Sequence, residues 1–309
     1  MFGNTLLIIN PTARNNKATA VAAKAVNEIK KALDKESSSP TFEVCHTVYA
    51  KEGTTLARQK GANFQTVIVL GGDGIVHEVV NGLMLLPKED RPILGIIPCG
   101  NGDDFARSIN MSRKPKESLQ ELLIAQPTSI DIIKVNDTYC DETISFGLDA
   151  AIALQTMELR KKTGRTGTSL YLQAGLNQLK NHLDVHTATV SFDNEKAEEL
   201  SFYLMAIQNG KTYGGGFNIC PKAELDDGYL DICYALPPLT TLQATTTFLK
   251  AKNGGHINHP HVRFKRAKKV SLEFRVAPPT QIDGEAFSAT KIDIELEEKA
   301  LRVLMNKAK

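Results

Sequence analysis

The chain has 309 residues, with 37 lysines and arginines against 35 aspartates and glutamates, a formal net charge of +2, and 42% hydrophobic residues. That length and apolar content are ample for two packed domains, and a net charge so near zero does not suggest a nucleic-acid binder driven by overall charge, although local basic clusters can still matter. Five scattered cysteines, Cys45, Cys99, Cys140, Cys220 and Cys233, form no C-x-x-C pair; a disulfide framework or zinc ribbon is excluded, and reduced thiols in a cytoplasm are expected.

In chain order, the apolar run Leu6–Ile9 is stopped by Asn10-Pro11 and is too short for a signal-peptide core, so it reads as a first strand. No stretch approaches the roughly 20 apolar residues of a membrane span, which leaves only peripheral membrane contact. After the turn Asn10-Pro11-Thr12-Ala13-Arg14, Val21, Ala25, Val26, Ile29 and Leu33 recur at helical spacing, giving a βα unit. Ser37 to Pro40 form a polar connection; residues 42–48 alternate as a strand, and a short helical pattern covers 54–60. The third unit is the β-branched run Val67-Ile68-Val69, the loop Gly71-Gly72-Asp73-Gly74 and a helix over 75–86 ended by Pro87. A strand emptying into glycines and then a helix aims backbone N–H groups at one point, which suits a phosphate. A tight turn in any parallel sheet would look the same, and from these residues alone the two readings weigh equally.

A fourth apolar run, Ile93–Ile97, empties into a second glycine loop, Pro98-Cys99-Gly100-Asn101-Gly102-Asp103-Asp104. Two such loops after consecutive parallel strands would converge on one crevice and turn Asp73 and Asp104 toward a common site. Carboxylates beside a phosphate repel it unless a cation intervenes, and Mg²⁺, hard and oxygen-preferring, resolves the conflict. Neither loop matches the P-loop or the G-x-G-x-x-G dinucleotide fingerprint.

These residues resemble the diacylglycerol kinase catalytic domain family, which includes bacterial lipid kinases and sphingosine and ceramide kinases. Gly71-Gly72-Asp73-Gly74 with Glu78-Val79-Val80-Asn81-Gly82 is similar to the family's GGDGT-x-x-E-x-x-N-G element, and Pro98 to Arg107 to its P-x-G-T-x-N-D-F-A-R element. Asn10 to Arg14 is similar to its N-P-x-S-G turn. Gly214-Gly215-Gly216-Phe217, Leu225-Asp226-Asp227-Gly228-Tyr229-Leu230 and Ile282-Asp283-Gly284-Glu285 follow in the family's order, so the likeness covers nearly the whole chain. The departures are Arg14 for Gly, Ile75 for Thr, His77 for Asn, Asn101 for Thr or Ser, and Asp103 for Asn.

Beyond a helix over 116–125 and a strand over 129–135, the rhythm changes to short strands at 185–192, 200–208, 229–234, 262–264 and 270–274, with helical patterns at 150–161, 169–183 and 240–252. The expected architecture is an α/β domain with a parallel, Rossmann-like sheet over 1–130, as in NAD kinases, and a C-terminal β-sandwich over 131–296. Residues 297–309 are expected to return to the first domain. Basic clusters at Arg160-Lys161-Lys162 with Arg165, and at Arg263 to Lys269, read first as solvated faces and second as lipid-headgroup contacts. His256, His259 and His261 alternate, but nothing nearby completes a metal shell, so they read as loop histidines.

Asp283-Gly284 by itself reads as a hairpin turn. The resemblance implies instead that Asp283 is a general base and that Glu285 joins a Mg²⁺ water network with Asp73 and Asp104. It further implies that Asn10, Pro11, Thr12, Ala13, Arg14, Thr47, Gly72, Asp73, Gly74, Ile75, Val76, His77, Glu78, Gly100 and Asn101 hold ATP, and that the backbone of Glu224, Asp227 and Tyr229 holds a structural cation. The function so implied is an ATP- and Mg²⁺-dependent kinase of a hydroxyl of diacylglycerol or a related lipid. Such an enzyme is expected to be cytoplasmic, in transient contact with the inner membrane face and without a nucleic-acid partner; a homodimer is left open. A kinase of a soluble metabolite and a non-catalytic nucleotide- or lipid-binding protein are the rival readings.

Overall fold

The computed structural model describes residues 2–16, 18–36, 38–165 and 167–306. Ser37 of the expected polar connection and the last three residues of the expected 297–309 return lie outside the described residues. Residues 1–131 and 298–309 form one compact unit, and residues 132–297 a second.

The first unit is α/β. Its strands are β1 (Thr5–Ile9), β2 (Phe42–His46), β3 (Thr66–Gly71) and β4 (Ile93–Pro98), parallel and ordered β2-β1-β3-β4. β1 and β3 are buried along their whole length, as continuous apolar strands must be when both faces of a parallel sheet are covered. The helices are a single turn α1 (Ala13–Asn16), then α2 (Ala18–Leu33), α3 (Glu52–Lys60), α4 (Asp73–Met84), α5 (Asp104–Ser108) and α6 (Pro115–Leu122). α2 buries Ala18, Ala22, Ala25, Ile29 and Leu33, the three-to-four spacing of one helical face. α3 lies directly on α4 at Gly82, where an added Cβ would stand 2.4 Å from the Thr54 carbonyl oxygen. Arg91 ties off the far end of α4, donating to the carbonyls of Met84 (3.1 Å), Leu86 (3.1 Å) and Ala300 (2.9 Å).

In this strand order the chain leaves β1 toward β2 and returns on the other side of β1 as β3. β1 and β3 therefore flank a topological switch point, where open α/β sheets bind ligands beyond the strand ends. The loops Asn10 to Arg14 and Gly71 to Gly74 leave the sheet there, stitched by the Asn10 N–H donating to the Leu70 carbonyl (3.0 Å).

Two long strands carry the chain between units: β5 (Gln126–Val135) and β18 (Lys291–Met305). Val303 of β18 pairs in parallel with Leu94 of β4. The backbone of β18 turns left-handed at Lys299 (φ 48°), whose N–H donates to the buried Asp131 (2.7 Å).

The second unit is a β-sandwich with helices on one outer face. In chain order its further elements are β6 (Thr138–Cys140), β7 (Thr143–Gly147), α7 (Leu148–Thr163), α8 (Thr168–Asn181), β8 (His186–Phe192), β9 (Glu198–Phe202), β10 (Leu204–Gln208), β11 (Thr212–Tyr213), β12 (Phe217–Asn218), β13 (Leu230–Ala235), α9 (Thr241–Ala251), β14 (Val262–Ala267), β15 (Lys269–Phe274), β16 (Thr280–Ile282) and β17 (Glu285–Phe287). One antiparallel sheet runs β14-β13-β10-β7-β16-β17; facing it are β18, β15, β8 and β9. Phe146, Met205 and Ile207 from the first sheet meet Val190, Val270, Leu272 and Ile294 from the second in one core. α7, α8 and α9 cover the other face of the first sheet, with Leu148, Ile152, Tyr171 and Ala174 packed over Ala206 and Cys233.

The segment 200–208, expected as one strand, is two strands in different sheets. β9 pairs with β8, the chain turns at Tyr203, and β10 pairs with β7 and β13. β10 has helices over one face and the sandwich core under the other, so Met205 to Gln208 are all buried and carry no alternation. α6 ends at Leu122 rather than Ala125, because Gln126 already begins β5.

Candidate active site

At the switch point three loops are fastened by their own polar groups. Asn10 Oδ1 accepts from the Thr12 N–H (3.1 Å) and hydroxyl (2.8 Å), which shapes the first loop. Thr47, just past β2, donates its N–H to the Ile9 carbonyl (2.9 Å). Gly72 and Gly100 touch backbone to backbone: a Cβ on Gly72 would lie 2.9 Å from the Gly100 Cα, and one on Gly100 2.6 Å from the Gly72 Cα. Both glycines are therefore required by this close approach of the second and third loops, a reason invisible in sequence.

Asp73 opens α4 and braces the third loop. Its Oδ2 accepts the Asp103 N–H (2.8 Å) and its Oδ1 the Asp104 N–H (2.9 Å), the N-terminus of α5. Asp103 Oδ1 in turn accepts the Gly100 N–H (2.8 Å). Asp104 is paired with Arg107 (2.8 Å), which also donates to the Gly102 carbonyl (3.0 Å). The three carboxylates crowd one another in a poorly solvated place. Burial, then the charges of Asp104 and Asp103, push Asp73 up to about 7; burial pushes Asp103 up to about 6.

Both groups hold their protons more tightly folded than unfolded, where an aspartate titrates near 3.9. Their contribution to stability is thus fully present below about pH 4 and lost as pH rises through about 6 to 7. Asp231 in the second unit, raised to about 6 chiefly by burial, adds in the same direction. The melting temperature of the metal-free protein is expected to fall between pH 5 and pH 8. Asp103→Asn, which keeps an oxygen for the Gly100 N–H and removes a charge beside Asp73, should flatten that fall; an unchanged slope would refute this account.

Of the other expected nucleotide residues, Gly74 is exposed at the start of α4, Val76 is buried, and the Asn101 carbonyl accepts from Arg113 (3.4 Å). Ile75 is a core residue, 4% exposed, whose methyls fill the space left by Gly53 and Gly71. Glu78 fastens α3, accepting the N–H groups of Lys51 (2.9 Å) and Gly53 (2.9 Å). His77 takes an Asn81 side-chain hydrogen bond on its carbonyl (2.9 Å). Arg14 is left-handed (φ 52°) and exposed. A non-glycine residue there is strained by about 1–2 kcal/mol, partly offset in a glycine by about 0.5–1 kcal/mol of chain entropy. Arg14→Gly should therefore leave stability unchanged or raise it by up to about 1 kcal/mol, as read by urea unfolding.

In the second unit, Asp283 and Gly284 form the two-residue turn joining β16 to β17, both at positive φ (47° and 89°), as a type I′ hairpin demands. The Asp283 carboxylate gathers the preceding turn. Oδ2 accepts from the Asp141 N–H (3.0 Å), and Oδ1 from the N–H groups of Glu142 (3.1 Å) and Thr143 (2.9 Å) and the Cys140 thiol (3.1 Å). Burial, then the Asp283 and Asp141 charges, hold the Cys140 thiol well above its ordinary range, so it stays a proton donor. The Glu285 side chain is exposed and has no hydrogen bond or ion pair to any described residue.

In the segment whose backbone is expected to hold a structural cation, Arg266 pairs with Asp227, stands 3.8 Å from Asp231 Oδ2, and lies over the Tyr229 ring (4.4 Å to its centre). The Glu224 and Tyr229 side chains are exposed.

Sequence reasoning missed an apolar cavity in the second unit. It lies under α7, α8 and α9, lined by Ile152, Phe217, Leu239, Ala244 and Phe248 among others, with Asp149 and His256 as its buried polar members. Its volume is about 60 Å³. Asp149 accepts the Tyr171 hydroxyl (3.0 Å), and burial raises its proton affinity. The lining residues are spread from 148 to 262, so no local pattern announces them.

Residues 4–135 match the family model described as diacylglycerol kinase catalytic domain, and residues 142–305 the model described as YegS C-terminal NAD kinase beta sandwich-like domain. The chain belongs to the diacylglycerol kinase catalytic-domain family of lipid kinases. It is 31% identical to a protein of Chromohalobacter salexigens named "Probable lipid kinase YegS-like", over 76% of this chain and 74% of the relative. It is 28% identical to a "Diacylglycerol kinase" of Staphylococcus saprophyticus, over 90% and 88% of the two chains. A solved diacylglycerol kinase from Bacillus anthracis superposes with a TM-score of 0.80 at 24% identity, covering 99% and 98% of the two chains. The family membership, the α/β domain with a parallel sheet and the NAD-kinase-like β-sandwich thus agree with the expectation from sequence. Among the described residues, no helix is long and apolar enough to cross a membrane.

Proposed function

We propose that this lipid kinase transfers the γ-phosphoryl group of ATP to a hydroxyl of diacylglycerol or a closely related lipid. The observation that carries a lipid acceptor is the apolar cavity under α7 to α9, with Asp149 as its buried acid. Its volume of about 60 Å³ is below the roughly 300–1,000 Å³ of ligand pockets. An acyl chain would therefore enter as roof side chains such as Phe248 turn aside.

ATP is assigned to the switch-point loops Asn10 to Arg14, Gly72 to Glu78 and Gly100 to Asp104, with Thr47 beside them. Phosphoryl transfer asks mainly for positioning and charge neutralisation, and loops locked by Asn10, Asp73 and the Gly72–Gly100 contact are already positioned. The donor set suits Mg²⁺: Asp73, Asp103 and Asp104 bring three carboxylates together, and burial raises the proton affinity of Asp73 and Asp103. Asp73 and Asp104 would hold the ion through water, since Asp73 already accepts two N–H groups and Asp104 is paired with Arg107. Bound Mg²⁺ supplies neutralisation of the phosphate oxygens. Its addition is expected to raise the melting temperature more at pH 8 than at pH 5, because at pH 5 protons already neutralise the cluster.

For the proton of the acceptor hydroxyl we assign Glu285, and for Asp283 the shaping of the turn that presents it. A general base must reach the hydroxyl, and Glu285 is exposed and uncommitted, whereas Asp283 already gathers the backbone of residues 141–143 and the Cys140 thiol. The deciding experiment supplies purified protein with ATP, Mg²⁺ and dioleoylglycerol in mixed micelles. Phosphatidic acid is the expected product. Turnover of a water-soluble acceptor without micelles would favour the soluble-metabolite reading, and ATP binding without transfer to any extracted lipid the non-catalytic one.

A further inference from the structure

His256 is a buried histidine whose second nitrogen is left over. The residue is 3% exposed and lines the apolar cavity. Its Nε2 lies 2.9 Å from the carbonyl oxygen of Ile219, a residue that also lines the cavity. A carbonyl oxygen only accepts, so Nε2 carries the hydrogen. Burial disfavours the charged ring and outweighs the opposing effect of that hydrogen bond. The neutral ring then has a lone pair on Nδ1, and Nδ1 is buried with no hydrogen-bond partner among the described residues. The ring is fixed from its other side by Phe264, 5.7 Å between centres. Leaving a buried acceptor unmet is costly, and a site built with such an acceptor selects ligands that bring the missing donor.

We propose that His256 is a specificity-determining residue for the lipid acceptor: its Nδ1 accepts a hydrogen bond from a hydroxyl or amide N–H carried on the buried body of the lipid, so that such lipids are preferred over those whose buried body is ester and hydrocarbon alone. The inference rests on the reading of the cavity as the acceptor's site. Asp149, at 4% exposed, also lines the cavity and accepts the Tyr171 hydroxyl (3.0 Å).

Two matched pairs of acceptors separate the possible sources of the donor. N-oleoylserinol against 2-oleoylglycerol exchanges an amide N–H for an ester oxygen; a diacylglycerol with a hydroxylated acyl chain against its plain counterpart adds a chain hydroxyl. Each pair is assayed in mixed micelles with the wild type, with His256→Gln, which retains a donor for the Ile219 carbonyl, and with His256→Phe. The expected result is a preference of at least about fivefold in kcat/KM for the donor-bearing member of one pair in the wild type, falling to within twofold in His256→Phe and at least partly retained in His256→Gln, whose amide oxygen still accepts. Ratios near one in the wild type would overturn the inference and mean that Nδ1 is met by a buried water only. A preference that survives in His256→Phe would overturn it too. Transfer to no lipid by any of the three proteins would instead sink the lipid-acceptor reading beneath it, and melting curves without lipid show whether each variant is folded.

Discussion

Glu285→Gln is expected to lose about 10²- to 10⁴-fold in the rate of lipid phosphorylation with its melting temperature unchanged. The Glu285 side chain is exposed and bonded to no described residue, and surface changes of that kind stay within about 0.5 kcal/mol. Asp283→Ala should behave in the opposite way. It strands the N–H groups of Asp141, Glu142 and Thr143 and the Cys140 thiol, and an unsatisfied buried donor costs about 1–3 kcal/mol. Its melting temperature should drop, and part of its activity should survive at a temperature where it is still folded. Asp283→Asn keeps an acceptor for the Oδ1 partners but turns an amide toward the Asp141 N–H, so its stability should fall between the two. Radiolabelled phosphate transfer and thermal unfolding on the same preparations decide the matter. Wild-type turnover by Glu285→Gln, together with a fully folded but inactive Asp283→Asn, would return the base to Asp283.

The first three βα units were legible because each carries its signal locally: an apolar run, a turn residue, then helical spacing, as at Val67 to Leu83. The two glycine loops could be read as converging for the same reason. What they do to each other could not, since the contact of Gly72 with Gly100 joins residues far apart in sequence, and Asp73 shows its purpose only once the N–H groups of Asp103 and Asp104 arrive above it. At Asp283-Gly284 the turn and the functional motif coexist: the left-handed pair closes the hairpin, and that hairpin sets Glu285 at the head of β17. Residues 200–208 misled because a strand with both faces covered has no alternation to mark where it leaves one sheet for the other. His256 misled for a related reason. Its immediate neighbours, Gly255 and Ile257, are exposed, and only the fold turns it inward against Ile219.

Ala244→Phe should block the lipid site while sparing nucleotide binding. Ala244 is buried on the face of α9 that lines the cavity, where a benzyl group would occupy the space an acyl chain needs. The substitution fills a void rather than a packed core, so it should cost less than the roughly 1–3 kcal/mol of ordinary overpacking. Thr247→Phe, one turn further along the same lining, supplies a second test if the first variant folds poorly. For dioleoylglycerol, kcat/KM is expected to fall at least about tenfold, on the order of 1.4 kcal/mol of lost transition-state binding. A diacylglycerol with short acyl chains should be affected much less, because less of it must pass beneath α9. ATP binding, which is assigned to the first unit, should not change. The ratio between long- and short-chain acceptors therefore carries the result: a uniform loss would point to general damage of the fold, and an unchanged ratio would mean that acyl chains lie elsewhere than under α7, α8 and α9.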